Sequence, residues 1–462
     1  MATYLKEATF SGSNGSHFYI QLYYDISQNT NTNQSTLTYY LYVGSRDNYS
    51  GSGSAGNGYI NGNWVGSLSS VGKNSFNYIG SRQETVNHNA DGTGTANYSA
   101  SFSFPWSNLR DASLSGSITL PTIPRASSVT ATDANVESAT SINISRASTS
   151  FKHTLTYSFE GLTGTIAENV ATSYGWTIPT SFYNKLTNKK SATCTITCKT
   201  YNGSTLIGSK TTTFKVSVNE ETNKPTVGAT IIDSNSTTVA LTGSNSKLVK
   251  YFSNAQVTMS ATAKNGASIV SKSIVCGDGK SLTDSGTINN VESGTFVITA
   301  TDSRGISNST TVTLDMKDYI NLSVNANFYR TQPTNNTIAL EYNGNYFNQS
   351  FGSQNNTLGL KYRYKLSTSS TWSSYTNLTP TKSGNTYSNG SSALVLGTSF
   401  DYTKEYDFEL VASDKLQTIP YVTKVTQGIP VFDWGKEDFQ FNVPVKLASG
   451  NEILDYTVVD EW

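Results

Sequence analysis

Apolar and polar residues alternate along most of this chain, in short runs that Gly, Asn, Asp and Pro separate. A period of two predicts β-strands with one buried and one solvated face, and the separating residues are those that turns require. Near the N-terminus the clearest runs lie at 18–24, 36–43, 93–104 and 114–120, with a turn at 89–92 before the third. Good helix formers are scarce, and we therefore expect an all-β protein.

A closing pattern of strand, turn and strand recurs about every 100 residues, which is the size of one sandwich module. Tandem β-sandwiches of the immunoglobulin or fibronectin-III kind explain this recurrence best. The pattern repeats without identity of sequence. The three later copies lie at 192–218, 294–314 and 406–425, and their turns are Asn202-Gly203, 302–305 and Asp414-Lys415.

Domain boundaries are expected where the strand pattern is interrupted. Pro121 and Pro124 end the first block, because proline cannot donate to a β-ladder. The predicted organisation is an aromatic-rich N-terminal sandwich at 1–123, a sandwich module at 124–222, an immunoglobulin-like module at 223–318, a fibronectin-III-like module at 319–428 and a short C-terminal extended segment at 429–462.

The C-terminal segment carries four large aromatic residues, Phe432, Trp434, Phe439 and Phe441, within a short stretch that also has two prolines. Such a segment cannot bury these side chains by itself. We expect it to pack on the preceding module or on other chains, and therefore to act as an assembly contact. Contact with other chains would make the protein an oligomer, and a homotrimer is the form we expect.

The composition narrows the functional classes. Hydrophobic residues make up 36% of the chain and charged residues 14%, where a typical soluble domain has about 25% charged residues. Aromatic residues reach 11%, which is unlike a disordered chain. The formal net charge is zero, so we expect no nucleic-acid partner. No run of 18 apolar residues occurs, so we expect no membrane insertion.

The N-terminus and the cysteines bear on where the protein is made. Residues 1–7 lack the apolar core of a signal peptide, so we expect no Sec-dependent export. Cys194 and Cys198 are four apart in one predicted strand, which separates their Cα atoms by about 13 Å. A disulfide tolerates only about 7 Å. We expect both thiols, together with Ile196, to face the core.

Two longer strings resemble a known family. The first is Thr85-Val-Asn-His-Asn-Ala-Asp-Gly92 with the strand after it and Leu120-Pro-Thr-Ile-Pro-Arg-Ala-Ser127, and the second spans 428–445. Both are similar to the tail-associated minor structural proteins of streptococcal siphoviruses, over nearly the whole chain. The resemblance implies a virion component at the tail tip or baseplate, made in the host cytoplasm, released by lysis and in contact with other tail proteins. It supplies no binding residues.

Catalytic and cofactor motifs are absent from the sequence, so we expect no enzyme, no cofactor and no metal. His17, His88 and His153 have no metal-ligand spacing, and His88, before a turn, is interpreted as a solvated loop residue. The stretch 51–56 matches G-x-G-x-x-G, but turn signals follow it where a helix is needed, so we interpret it as a flexible loop. Calcium binding at an Asp-containing turn stays open.

Sugar binding requires exposed aromatic faces with amide or carboxylate groups beside them. Tyr49, Tyr59 and Trp64 provide this mixture in a glycine-rich stretch, and Trp372 and Tyr375 provide it again in the fourth block. The alternative is that each ring belongs to a core or covers a sheet face. On the first interpretation these residues bind host cell-wall polysaccharide.

Three other functions remain open. The chain could be a purely structural spacer or scaffold of the tail. A bacterial surface adhesin would have the same modules, but we expect a signal peptide and a C-terminal anchor in such a protein. A cell-wall glycan hydrolase needs two carboxylates about 5 to 9.5 Å apart, and the acidic residues here are mostly single and in turns, although residues from different blocks could converge.

Overall fold

The computed structural model describes residues 2–428 and, beyond them, the backbone of four short strands, Phe432–Trp434, Phe439–Phe441, Val445–Lys446 and Glu452–Ile453. The first two of these strands pair antiparallel, and so do the last two. The predicted assembly contact concerns the side chains of Phe432, Trp434, Phe439 and Phe441, which lie outside the described residues.

The first eight strands form two antiparallel four-stranded sheets, with the order β1-β2-β3-β6 in one and β5-β4-β7-β8 in the other. The predicted alternation is confirmed, since Leu37, Tyr39, Leu41 and Val43 of β3 are fully buried and the residues between them are partly exposed. Their side chains pack with those of β7 into one core. Strands β1 to β8 are Thr3–Thr9, Phe18–Asn29, Gln34–Ser45, Gly51–Ile60, Asn63–Val71, Phe76–Asn87, Gly94–Ser103 and Asp111–Leu120.

The flexible loop predicted at 51–56 is wrong, because these residues begin β4. The glycines are there for close packing. A Cβ atom at Gly58 would lie 2.9 Å from Leu41 Cδ2 and 3.0 Å from Phe102 Cδ2, and Gly56 is similarly crowded by Phe102. Glycine therefore lets the strand approach the core aromatics.

The solvated histidine predicted at His88 is also wrong. The ring is buried, with Nε2 2.7 Å from Ser35 Oγ and Nδ1 2.7 Å from the Gly92 carbonyl oxygen. It lies against Gly94, where a Cβ atom would come within 2.9 Å of the ring. His88 thus ties the turn at 89–92 to β3 and has a structural role.

The second sandwich has a five-stranded sheet, β10-β16-β15-β12-β13, and a three-stranded sheet, β14-β11-β9. Cys194, Ile196 and Cys198 of β15 are fully buried and both cysteines are free thiols, which confirms the predicted core position. Burial raises the pKa of Cys194 to about 12 and that of Cys198 to about 11. Strands β9 to β16 are Ser128–Ala131, Ala134–Asn135, Ala139–Ser145, Phe151–Phe159, Leu162–Val170, Ser173–Thr177, Ser191–Asn202 and Thr205–Ser217.

The next strands form the sheets β17-β19-β22 and β21-β20-β23-β24 and the parallel pair β18-β25. Ile274, Phe296 and Ile298 are fully buried in the core of this region. The hairpin predicted at 294–314 is present as β23 and β24. Strands β17 to β25 are Thr226–Asp233, Lys247–Val249, Ala255–Thr262, Ile269–Cys276, Ser281–Leu282, Gly286–Ile288, Thr295–Asp302, Ser307–Thr313 and Asp315–Lys317.

The last complete sandwich has the sheet β26-β27-β31-β30, with β32 also paired to β27, and the sheet β29-β28-β33-β34. Phe328 and Phe408 stack in its core with ring centroids 4.6 Å apart. Strands β26 to β34 are Asn325–Arg330, Ile338–Asn345, Gly359–Leu366, Thr376–Leu378, Thr381–Ser383, Thr386–Ser388, Leu394–Gly397, Tyr406–Ser413 and Thr418–Val425.

A separate small core joins the last two sandwiches. Tyr319, in the segment between them, packs with Leu241, Val249, Phe347 and Phe351, all of which are buried. The Tyr319 hydroxyl donates to Asp414 Oδ2 at 2.8 Å. We call this group of five residues the junction core.

The chain divides into two compact units, one of 1–223 with 264–267 and 303–305, and one of the remaining residues. The five predicted domain ranges divide it more finely and stay predictions. The helices are short: 3-10 turns at Gly15–His17 and Thr180–Lys185, α1 at Glu220–Asn223 and α2 at Ser236–Thr242. Within the described part of the chain, none has the length and apolar character needed to cross a bilayer. The predicted all-β architecture of tandem immunoglobulin- and fibronectin-III-like sandwiches is confirmed.

Candidate functional site

A tight hairpin between β4 and β5 positions Tyr59 and Trp64. Its turn residues Asn61 and Gly62 both have positive φ, 46° and 74°, which suits the two-residue turn that matches the twist of paired strands. The Asn61 side chain donates to Glu84 Oε2 at 2.6 Å and accepts from the Ser99 backbone N–H at 2.6 Å. The hairpin end is therefore held on both sides.

Both predicted rings of this hairpin reach solvent. Tyr59 and Trp64 are cross-strand partners, and their side chains are 37% and 60% exposed. Trp64 Nε1 donates to Asn57 Oδ1 at 3.2 Å, which orients the indole over β4. The interpretation that these rings belong to the core does not hold for either residue.

Tyr59 also lines a cleft of about 420 Å³ on the outer face of the β5-β4-β7-β8 sheet. Such a volume is within the range of small-ligand sites. Sequence reasoning missed the other lining residues, although alternate serines in β7 and β8 signal a hydroxyl-rich outer face. The serines that line the cleft are Ser99, Ser101, Ser113 and Ser115.

The charged groups at the rim of the cleft come from β1 and already have hydrogen-bond or ion-pair partners within the chain. Lys6 Nζ donates to the Ser115 carbonyl oxygen at 2.9 Å. Glu7 is ion-paired with Arg46 and accepts from Gln21 Nε2 at 2.6 Å. Of the described residues that line the cleft, Glu7 alone carries a carboxylate, so a pair of carboxylates of the kind that glycoside hydrolysis uses is not assembled there.

Tyr49 lies apart from the other two predicted residues. It precedes β4, whereas Tyr59 is near the end of that strand, and the eight residue steps from Gly51 to Tyr59 correspond to roughly 26 Å of extended chain. The Tyr49 ring stacks on His17 with centroids 3.6 Å apart. The structure therefore brings Tyr59 and Trp64 together and places Tyr49 beside His17, and glycan binding by these three residues stays a prediction.

Trp372 and Tyr375 lie on the last sandwich, and both rings are close to one guanidinium. Arg363 Cζ lies 4.7 Å from the Trp372 ring centroid and 4.6 Å from that of Tyr375. The Tyr375 hydroxyl donates to Glu409 Oε2 at 2.8 Å, and Arg363 also pairs with Glu409. Burial acts to raise the pKa of Glu409, but the hydrogen bonds from Arg363 and Tyr375 hold it below its usual value. These rings pack against cations of their own sheet.

The described residues contain no cluster of three or more His, Cys, Asp or Glu side chains that could hold a metal ion. The third histidine, His153, is buried, with Nε2 2.8 Å from Ser127 Oγ and Nδ1 2.9 Å from the Val170 carbonyl oxygen. Burial lowers the pKa of His153, which favours the neutral ring.

Curated proteins give no match to this chain. Solved structures that are similar include a tetra-tandem repeat from the extending region of a large adhesion protein, with 12% identity, 86% of this chain and 96% of that chain covered and a TM-score of 0.26. The three N-terminal domains of the bacteriophage RB49 highly immunogenic outer capsid protein match with 11% identity, 65% and 98% coverage and a TM-score of 0.19. These likenesses carry no argument about function.

The sequence model of a family described as "Siphovirus protein of unknown function (DUF859)" matches residues 7–431. This match runs from within β1 to beyond the last sandwich and includes Tyr59 and the four serines of the cleft. The chain therefore belongs to this siphovirus protein family.

Proposed function

We propose that this protein is a structural component of the siphovirus tail, at its tip or baseplate, and that it binds host cell-wall polysaccharide. The observation that carries the binding role is the Tyr59 cleft, where the exposed Tyr59 ring and four serines line one cavity, with the exposed Trp64 next to Tyr59 across the hairpin. In this proposal the protein is made in the host cytoplasm, joins other tail proteins and leaves the cell by lysis.

The chemistry of the cleft supports an uncharged, hydroxyl-rich ligand. Exposed aromatic rings provide apolar surface for the C–H faces of a pyranose, and their polar ends stay in water. The serine hydroxyls can donate to and accept from sugar hydroxyls. The rim charges Lys6 and Glu7 already have partners within the chain, so they leave no strong attraction for a charged ligand.

Binding of the purified protein to extracted cell-wall polysaccharide tests this function. We expect saturable binding by isothermal titration calorimetry, competed by free polysaccharide on host cells. Tyr59→Ala and Trp64→Ala should each weaken it roughly tenfold, because each removes a ring whose stacking and covered apolar area together contribute about 1.4 kcal/mol. Tyr174→Ala is a matched control, since Tyr174 is 39% exposed on β14, in the second sandwich.

The outcomes separate clearly. Unchanged affinity in both cleft variants, with folded protein by circular dichroism, would contradict the assignment of the cleft. Absence of binding by the folded wild-type protein would contradict the adhesion role altogether. Loss of turbidity from isolated cell walls would instead indicate hydrolysis.

A spacer or scaffold role is the second candidate, and the junction core favours it. Leu241, Tyr319 and Phe351 join two consecutive sandwiches through buried side chains, as a stiff strut would require. This role needs contacts with other tail proteins or with two further copies in a homotrimer. Sedimentation equilibrium of the purified chain tests the trimer, and a monomer at all concentrations would contradict it.

A further inference from the structure

The sheet β1-β2-β3-β6 carries a row of aromatic side chains on its outer face. Tyr4 is on β1, Tyr23 on β2, Tyr42 on β3, and Phe76 and Tyr78 on β6. The residues on either side of Tyr42 are buried in the core, so Tyr42 points away from it. We call these five residues the aromatic row, and none belongs to the Tyr59 cleft.

The aromatic row is continuous across all four strands. Ring centroids are 5.5 Å apart for Tyr4 and Tyr23, for Tyr23 and Tyr42, and for Tyr42 and Tyr78. Phe76 stacks on Tyr42 at 4.3 Å with nearly parallel planes. Strands lie about 4.8 Å apart, so the row is about 14 Å long from β1 to β6. That is the length of a short oligosaccharide.

Much of the aromatic row is exposed to solvent, and these rings do not contribute to the core of the sandwich. Tyr4, Phe76 and Tyr78 are 50%, 48% and 54% exposed. Since an aromatic side chain buries roughly 150–250 Å² when covered, these three rings leave on the order of 300 Å² of aromatic surface uncovered. An exposed patch of this size is commonly functional.

The area argues against a protein partner. A stable protein interface needs about 800 Å² on each side, well above what the aromatic row offers. The carboxylates on this face also disfavour an anionic ligand, because Glu7 is paired with Arg46 and the exposed Asp25 keeps its negative charge while it accepts from the Tyr40 hydroxyl at 3.2 Å. Gln21 donates to Glu7 and accepts from the Tyr23 hydroxyl at 3.0 Å. These polar groups can exchange hydrogen bonds with hydroxyl groups of a ligand.

We propose that the aromatic row is a second saccharide-binding surface, which takes an uncharged polysaccharide chain laid across the four strands. The rings stack on successive sugar rings, and Gln21 and the tyrosine hydroxyls bind sugar hydroxyls. The ligand class is that of the proposed function, but the residues are different. The row therefore goes beyond the Tyr59 cleft, and either site can fail without the other.

Tyrosine nitration of the full chain gives a direct measurement. The probes are uncharged hexasaccharides of glucose, galactose and N-acetylglucosamine, and extracted host cell-wall polysaccharide. At a probe concentration ten times Kd, about one site in eleven is free, so nitration of Tyr4 and Tyr78 should slow about tenfold. Proteolytic digestion of the nitrated protein gives the extent of nitration at each tyrosine. Nitration of Tyr59 measures occupancy of the cleft in the same sample, and Tyr174 serves as the unprotected control.

Variants provide the second measurement. In a Tyr59→Ala background, which removes the ring of the cleft, Tyr4→Ala and Tyr78→Ala should each weaken the remaining polysaccharide binding roughly tenfold, whereas Tyr174→Ala should not. Both rings are half exposed, so the variants should keep the circular dichroism spectrum of the wild type. Absence of protection of Tyr4 and Tyr78 by every probe, or unchanged affinity in both variants, would overturn the proposal. So would a wild-type oligomer that Tyr78→Ala dissociates, because the row would then be a protein interface.

Discussion

Replacing Phe351 by alanine tests the junction core. The Phe351 ring is fully buried, with its centroid 5.1 Å from that of Phe347 and 6.2 Å from that of Tyr319. Removing a buried phenylalanine ring costs about 3–5 kcal/mol, since the lost transfer free energy adds to the free energy of the cavity. For a unit of 150–250 residues, 1 kcal/mol corresponds to about 2–4 °C in Tm. We therefore expect the Tm of the second unit to fall by about 6–20 °C.

Differential scanning calorimetry measures this shift, and native-state hydrogen exchange shows where stability is lost. Leu241 and Val249 lie more than 100 residues from Phe351 in sequence but in the same cluster, so amides of α2 and β18 should exchange faster in the variant. Phe76→Ala is the control, because it removes the same ring from a half-exposed position in the first unit.

Two results would refute this reasoning. A fall in Tm of less than about 2 °C would mean that the ring contributes little of the free energy that burial predicts. Unchanged exchange in α2 and β18 would mean that the junction core does not couple the two sandwiches.

Two further predictions concern titratable groups. Burial acts to raise the pKa of Asp278, but the backbone N–H groups of Glu292 and Lys280, with weaker side-chain bonds, lower it to about 2. The ionised Asp278 carboxylate therefore contributes its full share to the free energy of unfolding above the unfolded pKa near 3.9, and this contribution is lost as pH falls through about 2. Asp278→Asn should lower the free energy of unfolding by roughly 1–2 kcal/mol at pH 7 and by little at pH 2, as measured by urea titration. An equal cost at both pH values would contradict this. Because burial raises the pKa of Cys194 and Cys198, neither thiol should react with Ellman's reagent at pH 8 until the protein unfolds, and rapid reaction of the native protein would show that they are accessible.

The strands could be predicted from the sequence because alternation is a local property. The run at 36–43 lies within β3 and the cysteine-containing run lies within β15. The errors at 51–56 and at His88 have one physical cause. A glycine or a histidine can lie either in a loop or in a packed sheet, and the local sequence does not distinguish the two. The residues that bury them, among them Phe102 and Ser35, are distant in the chain.

The candidate sites depend even more on pairing between distant strands. Tyr59 and Trp64 could be predicted as a pair because they are only five residues apart in sequence and a tight hairpin makes them cross-strand partners. Tyr49 could not be excluded from sequence, since the length of β4 is decided by its pairing with β5 and β7. The aromatic row was missed because its residues come from four strands.

The sequence by itself determined the fold class and the faces of the strands, because period-two alternation and turn residues act within a few residues of one another. It also determined the core position of Cys194 and Cys198. Only the tertiary structure decided which rings are neighbours. The register of β1, β2, β3 and β6 sets Tyr4, Tyr23, Tyr42 and Tyr78 side by side, and such a register follows from burying a shared core rather than from any local pattern.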